Sequence, residues 1–132
     1  TDFPSPLLVD HPHVVPIPHL GASTDESEEN CAIKAADEVM EYLVNGNIIN
    51  SVNMPNASAP FTGDYRICVM HDNKPKMISQ IAQEDANIEN LLNKSKKEIA
   101  YTILDLDKKA SQTSIDKIKS IQGVLRVEVY EK

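Results

Sequence analysis

From Tyr65 to the end of the chain the apolar positions switch between a period of two and a period near 3.6, in the order strand, helix, strand, strand, helix, strand. Tyr65, Ile67 and Val69 alternate with Arg66, Cys68 and Met70, the pattern of a pleated strand. Met77, Ile78, Ile81 and Ala82 repeat at helical spacing after Pro75, whose fixed φ suits a first helical turn. Residues 87–93 and 98–106 read as two strands joined by the polar turn Lys94-Ser95-Lys96-Lys97. Thr113 and Asp116 cap a second helix that turns Ile115, Ile118 and Ile121 inward, Gly123 ends it, and Leu125, Val127 and Val129 alternate as a last strand. This is the split βαβ order of a ferredoxin-like α+β fold.

The first half is patterned differently. Pro4, Pro6, Pro12, Pro16 and Pro18 hold residues 1–22 extended and exclude a helix. Val14, Val15 and Ile17 form an apolar run that needs a sheet supplied from elsewhere to become a strand. Ser23 with Glu26 is a capping-box pair, and Asp25, Glu26, Glu28 and Glu29 suit the positive end of a helix dipole. The spacing of Ala32, Ala35, Ala36, Val39, Met40 and Leu43 predicts one apolar stripe on a helix over about 24–45, stopped by Asn45-Gly46. Residues 47–53 read as an extended exit, and the stretch from Met54 to Gly63, with prolines and small polar residues, as a linker. The expected division is therefore 1–53, a linker at 54–64, and a domain at 65–132.

Composition narrows the function class. A net charge of -7 repels phosphate backbones, and the lysines form no basic stripe, which argues against nucleic acid as a partner. No apolar run approaches the roughly 20 residues that span a bilayer. Cys31 and Cys68 are expected as free thiols in a reducing compartment, hence a cytoplasmic protein. The start at Thr1 reads as the middle of something larger.

Pro18-His19-Leu20-Gly21-Ala22-Ser23-Thr24, an acidic helix, and then Asn50-Ser51-Val52-Asn53-Met54-Pro55 resemble, in order and spacing, the phosphoglycerate dehydrogenases of the D-2-hydroxyacid dehydrogenase family. Thr1-Asp2-Phe3-Pro4 resembles the segment after a late strand of that family's nucleotide-binding domain, and residues 65–132 resemble its C-terminal ACT domain. The resemblance covers essentially the whole chain. It implies an ACT domain preceded by an extended segment and a helix from a Rossmann-type dehydrogenase domain.

It also implies roles. His19 takes the position of the family's general acid/base, which accepts the hydroxyl proton as hydride leaves a secondary alcohol; an imidazole does this near neutral pH. His19, Leu20, Gly21 and Ala22 take the positions that line the nicotinamide end of NAD. The reaction implied is oxidation of 3-phospho-D-glycerate to 3-phosphooxypyruvate, the entry to serine synthesis. The chain alone is expected to be inactive: Gly21, Gly46, Gly63 and Gly123 are too far apart for a dinucleotide-binding loop, and the only arginines, Arg66 and Arg126, lie in the second domain. Neither the family's substrate arginine nor the carboxylate that orients its histidine is found. His11, His13 and His19 lack an acidic or cysteine partner at metal-ligand spacing, and no metal is expected.

His71-Asp72-Asn73-Lys74-Pro75-Lys76 resembles the family's effector loop, and Asn87 a second effector asparagine. The resemblance implies an amino-acid effector, L-serine, held by His71, Asn73 and Asn87, and homo-oligomers formed through ACT edge strands. Lys76 and Asp85 stand where the family has glycine. The competing readings are another D-2-hydroxyacid dehydrogenase with an ACT tail and a free-standing amino-acid-binding module.

Overall fold

The protein is described by a computed structural model covering residues 1–83 and 86–132. The backbone forms two compact units, Thr1–Ala36 and Asp37–Lys132. Helix α1 (Asp25–Asn45) begins in the first and ends in the second.

In the first unit, turns at Ser5–Leu8 and His11–Val14 fold the proline-rich stretch, and the Ile17 N–H donates to the Thr1 carbonyl at 3.0 Å. Val14, Val15 and Ile17 form no strand, because Pro12, Pro16 and Pro18 remove ladder donors and no partner strand lies alongside among the described residues. The start of α1 falls one residue later than the capping box predicts. Thr24, rather than Ser23, caps it, its Oγ1 accepting from the Ser27 N–H at 3.2 Å. The helix forms as its period requires, yet none of its residues is buried; Val39, Met40 and Leu43 of the expected stripe are all more than half exposed.

The second unit is built on a sheet of β1 (Tyr65–Asp72), β2 (Ile88–Lys96), β3 (Ile99–Leu106) and β4 (Val124–Glu131), in the order β2-β3-β1-β4 with every neighbour antiparallel. With α2 (Met77–Ile81) and α3 (Gln112–Ser120) between the strands, this is the expected ferredoxin-like βαββαβ arrangement. Ser111 caps α3 through its Oγ, which accepts from the Ser114 N–H at 3.1 Å; the expected Thr113 and Asp116 lie inside the helix, where Asp116 instead pairs with Gln112. Strand β2 runs through Lys94-Ser95-Lys96 instead of turning there. The reversal is confined to Lys97 and Glu98, with Lys97 at φ 57°.

Each face of the sheet has its own core. Ile67, Val69, Leu104 and Leu106 pack beneath Met77 and Ile81 of α2 and Ile115 and Ile118 of α3. On the other face Cys68, Tyr101 and Ile103 lie under Ile48, Met54 and Ala57, and Ile48 and Ala57 pair as an isolated bridge. The segment whose composition reads as a linker thus covers half of the core, with Ala57 fully buried.

Helix α1 ends where it meets that second core. Gly46 takes φ 68°, a left-handed conformation that costs other residues about 1–2 kcal/mol. A Cβ there would lie 2.5 Å from Cys68 Sγ and 2.7 Å from the Tyr130 ring. Gly46→Ala is expected to destabilise the chain by about 2–4 kcal/mol, strain and overpacking together. The shift of the urea midpoint measures it, and an unchanged midpoint would show that the ring and thiol move aside.

Candidate functional site

His19 sits beside the start of the chain. The Thr1 ammonium donates to the Val15 carbonyl at 3.3 Å, which folds Asp2 and Phe3 back over the motif. Asp2 Oδ2 then lies 2.5 Å from His19 Nδ1, and the Phe3 ring stands 4.6 Å from the imidazole centroid. Both side chains remain about half exposed. The sequence offered no carboxylate for this histidine, since a partner 17 residues away carries no spacing signal. Leu20, Gly21 and Ala22 continue as an exposed strip, and a Cβ at Gly21 would meet nothing within 4 Å. His11 and His13 stack with each other at 5.9 Å, and among the described residues no three His, Cys, Asp or Glu groups converge as metal ligands do.

The second candidate site opens at the end of β1. His71 is buried, with Nδ1 2.8 Å from the Asp72 carbonyl and Nε2 2.8 Å from Thr102 Oγ1, which itself donates to Asn93 Oδ1. Asn73 donates through Nδ2 to the Lys97 carbonyl and through its backbone N–H to that of Glu98, so the loop is pinned to the β2–β3 turn. Asn87 is at the far end of the sheet. It precedes Ile88, which pairs with Leu106, whereas Asp72 and Lys96 both pair with Ile99. Within one chain, therefore, His71 and Asn73 are neighbours and Asn87 is remote; its backbone exchanges two hydrogen bonds with Asp107. Asp85 lies outside the described residues.

Lys76 stands at a position whose backbone suits glycine. It takes φ 67°, its carbonyl accepts from Ser79 Oγ and Gln80 Nε2, and α2 begins one residue later. Pro75 consequently lies in the turn before the helix, and α2 is only five residues long.

A third cluster has no counterpart in the sequence reading. Arg66 and Asp105 face each other across β1 and β3, both fully buried. Asp105 accepts from Arg66 Nε at 2.6 Å and Nη2 at 2.9 Å, and from the N–H and Oγ1 of Thr62. The remaining guanidinium N–H groups go to the carbonyls of Asn45, Ala59 and Pro60 and to Asn47 Oδ1. Burial pushes the Asp105 carboxyl up, but the bonds from Arg66, Thr62 and Asn90 outweigh it and hold the group below the usual carboxylate range. Alongside, Cys68 is pushed up to about 12 by burial, so its thiol is inert at neutral pH. Tyr42 of α1 hydrogen-bonds Glu128 of β4; burial and that carboxylate push the phenol up to about 12. These contacts tie the end of α1 and residues 45–62 to the sheet.

No family model matches the chain. It is similar to D-3-phosphoglycerate dehydrogenase of Escherichia coli strain K12, with 28% identity over 130 residues that make up 94% of this chain and 32% of that protein. The enzyme of the same name from Haemophilus influenzae is 30% identical over 133 residues, 97% of this chain and 32% of that protein. The one from Dictyostelium discoideum is 29% identical over 121 residues, 89% and 30% respectively. The chain thus spans about a third of the length of the curated relatives it matches, in their C-terminal part. Among solved structures, the crystal structure of the ACT domain from the GTP pyrophosphokinase of Chlorobium tepidum is 25% identical, covers 49% of this chain and 94% of that one, and gives a TM-score of 0.41. The resemblance read from the Pro-His-Leu-Gly motif and the strand order is borne out by these relatives.

Proposed function

We propose that this chain is the C-terminal part of an NAD-dependent D-3-phosphoglycerate dehydrogenase acting in the cytoplasm, to which it contributes His19 as acid/base and an ACT domain that senses L-serine. The similarity to enzymes of that name over nearly the whole chain carries the reading. NAD bound in the whole enzyme would supply the hydride acceptor, and His19 to Ala22 would lie along its nicotinamide end. The exposed strip His19 to Ala22 fits the edge of such a cofactor, since open space surrounds Gly21. The cradle for its pyrophosphate would come from the part of the protein outside this chain. His19 takes the proton of the 3-phospho-D-glycerate hydroxyl as the carbonyl of 3-phosphooxypyruvate forms, and Asp2 holds the other ring nitrogen.

The ACT site is completed across two copies. A two-fold pairing of β2 edges runs the strands antiparallel, so it carries Asn87 of one copy toward the β2–β3 turn of the other, where Asn73 is held. L-serine then has amide groups from both copies. Calorimetry tests this part. Serine binding is expected for the chain, with Asn73→Ala or Asn87→Ala weakening it about tenfold to hundredfold, the cost of a lost buried polar partner. Lys76→Gly is expected to tighten binding and raise stability by about 1 kcal/mol as the left-handed strain is removed. No heat from either the original chain or Lys76→Gly would refute the serine site while leaving the dehydrogenase assignment standing.

A further inference from the structure

On the sheet face away from α2 and α3, the end of β2 and the loop 50–56 enclose a cleft of about 420 Å³. Lys94 pairs with Tyr101 and Lys96 with Ile99, so both lysines stand on the face of the second core, about 7 Å apart along the strand. The floor is apolar, made by the buried Met54 and Pro55, and Asn50 and Asn56 complete a polar rim. The loop is held in shape by its own contacts. Ile48 and Ala57 pair at its base, the Ser51 hydroxyl accepts from the Met54 N–H at 3.1 Å, and Asn50, at φ 54°, donates to Glu38 at 2.6 Å.

The charge balance is unusual for a chain of net charge -7. Among the described residues no carboxylate lines the cleft, and none of the ion pairs found there uses Lys94 or Lys96. Among the described residues Lys96 Nζ donates to the Ser51 and Val52 carbonyls, at 3.3 and 2.9 Å, acceptors that are neutral and do not offset its charge. Two ammonium groups over an apolar floor, with amide donors beside them, match an anionic group carried on a short carbon skeleton.

We propose that this cleft binds a small organic anion through a carboxylate or phosphate group, with Lys94 and Lys96 as its cationic contacts. The site lies on the opposite face of the sheet from α2 and α3, and it does not depend on the dehydrogenase reading.

Amide chemical shifts of the chain titrated with sodium phosphate, and separately with sodium acetate, against sodium chloride at matched ionic strength, test it. Saturable shifts at Asn50, Ser51 and Lys94 to Lys96 are expected. Saturation by phosphate alone assigns a phosphate ester, and saturation by acetate a carboxylate. Lys94→Gln, which removes no contact to the loop, is expected to weaken binding about tenfold with the melting temperature unchanged. Lys96→Gln is expected to weaken it at least as much. Shifts that chloride reproduces, or full affinity in Lys94→Gln, would overturn the proposal.

Discussion

Arg66→Met is expected to destabilise the second unit by about 3–5 kcal/mol, enough to unfold a domain of ordinary stability. The substitution keeps the volume of the side chain roughly constant but leaves Asp105 as a buried carboxylate without its cation, and the carbonyls of Asn45, Ala59 and Pro60 without their donor. Arg66→Lys is not conservative here, because one ammonium with three donors cannot reach acceptors spread around a planar fork. The double variant Arg66→Met with Asp105→Leu removes both charges and should recover part of the loss; the rest stays, because the Thr62 N–H and the three carbonyls remain unpaired. Urea denaturation followed by circular dichroism separates these cases. A single variant within about 1 kcal/mol of the original would mean that water replaces the guanidinium, and the ion pair would lose its structural role.

The same cluster fixes the sign of the acid response. Asp105 is held below the ordinary carboxylate range in the folded chain, and Glu128 likewise, since bonds from Tyr42, Tyr130 and Arg126 outweigh the upward push of burial. A carboxylate whose folded value is depressed adds stability above its unfolded value, near 4 for Asp and Glu, and that stability is lost as pH falls through the folded value. The structure is therefore held fully above about pH 5 by these groups, and loses their contribution progressively below about pH 4.

Periodicity reaches the elements whose own side chains decide their conformation. The alternation in β1 and the 3.6-residue spacing in α1 and α3 lead directly to the observed elements, and the strand order follows from them. The covering segment at 47–62 escapes such reading. Its prolines and small polar residues look like a spacer, and what buries it is Arg66 reaching backbone carbonyls, which every residue possesses and no side chain advertises. The sequence makes strand β2 look shorter than it is for a related reason. Lys94 and Lys96 are polar, but a strand at a sheet edge tolerates lysine on either face, and only Lys97 and Glu98 are needed to turn. The α1 stripe shows the converse: Val39, Met40 and Leu43 have the period of a buried face and are exposed. At the candidate sites, motifs located His19, His71 and Asn73 in sequence, whereas Asp2 beside His19 and the separation of Asn87 from Asn73 depend on chain folding alone.

On the proposed reading, in which His19 is the acid/base of a full-length 3-phospho-D-glycerate dehydrogenase, His19→Ala in that enzyme is expected to lower kcat by about 10²- to 10⁴-fold with KM little changed, because the imidazole would act on the proton in the transition state and not on the bound ground state. The effect is that of losing a general base, and His19→Gln, which can hydrogen-bond but cannot take the proton, should be equally impaired. Asp2→Asn separates the proton acceptor from the group that positions it. The amide can still touch Nδ1 at the same place, 2.5 Å away for the carboxylate, but it no longer offsets the charge the ring acquires. A smaller loss is therefore expected, confined to kcat. Asp2→Ala should add disorder of the ring to this. Wild-type turnover in His19→Ala would remove His19 from the chemistry. An Asp2→Asn enzyme with wild-type kcat would remove Asp2 from the positioning of the histidine.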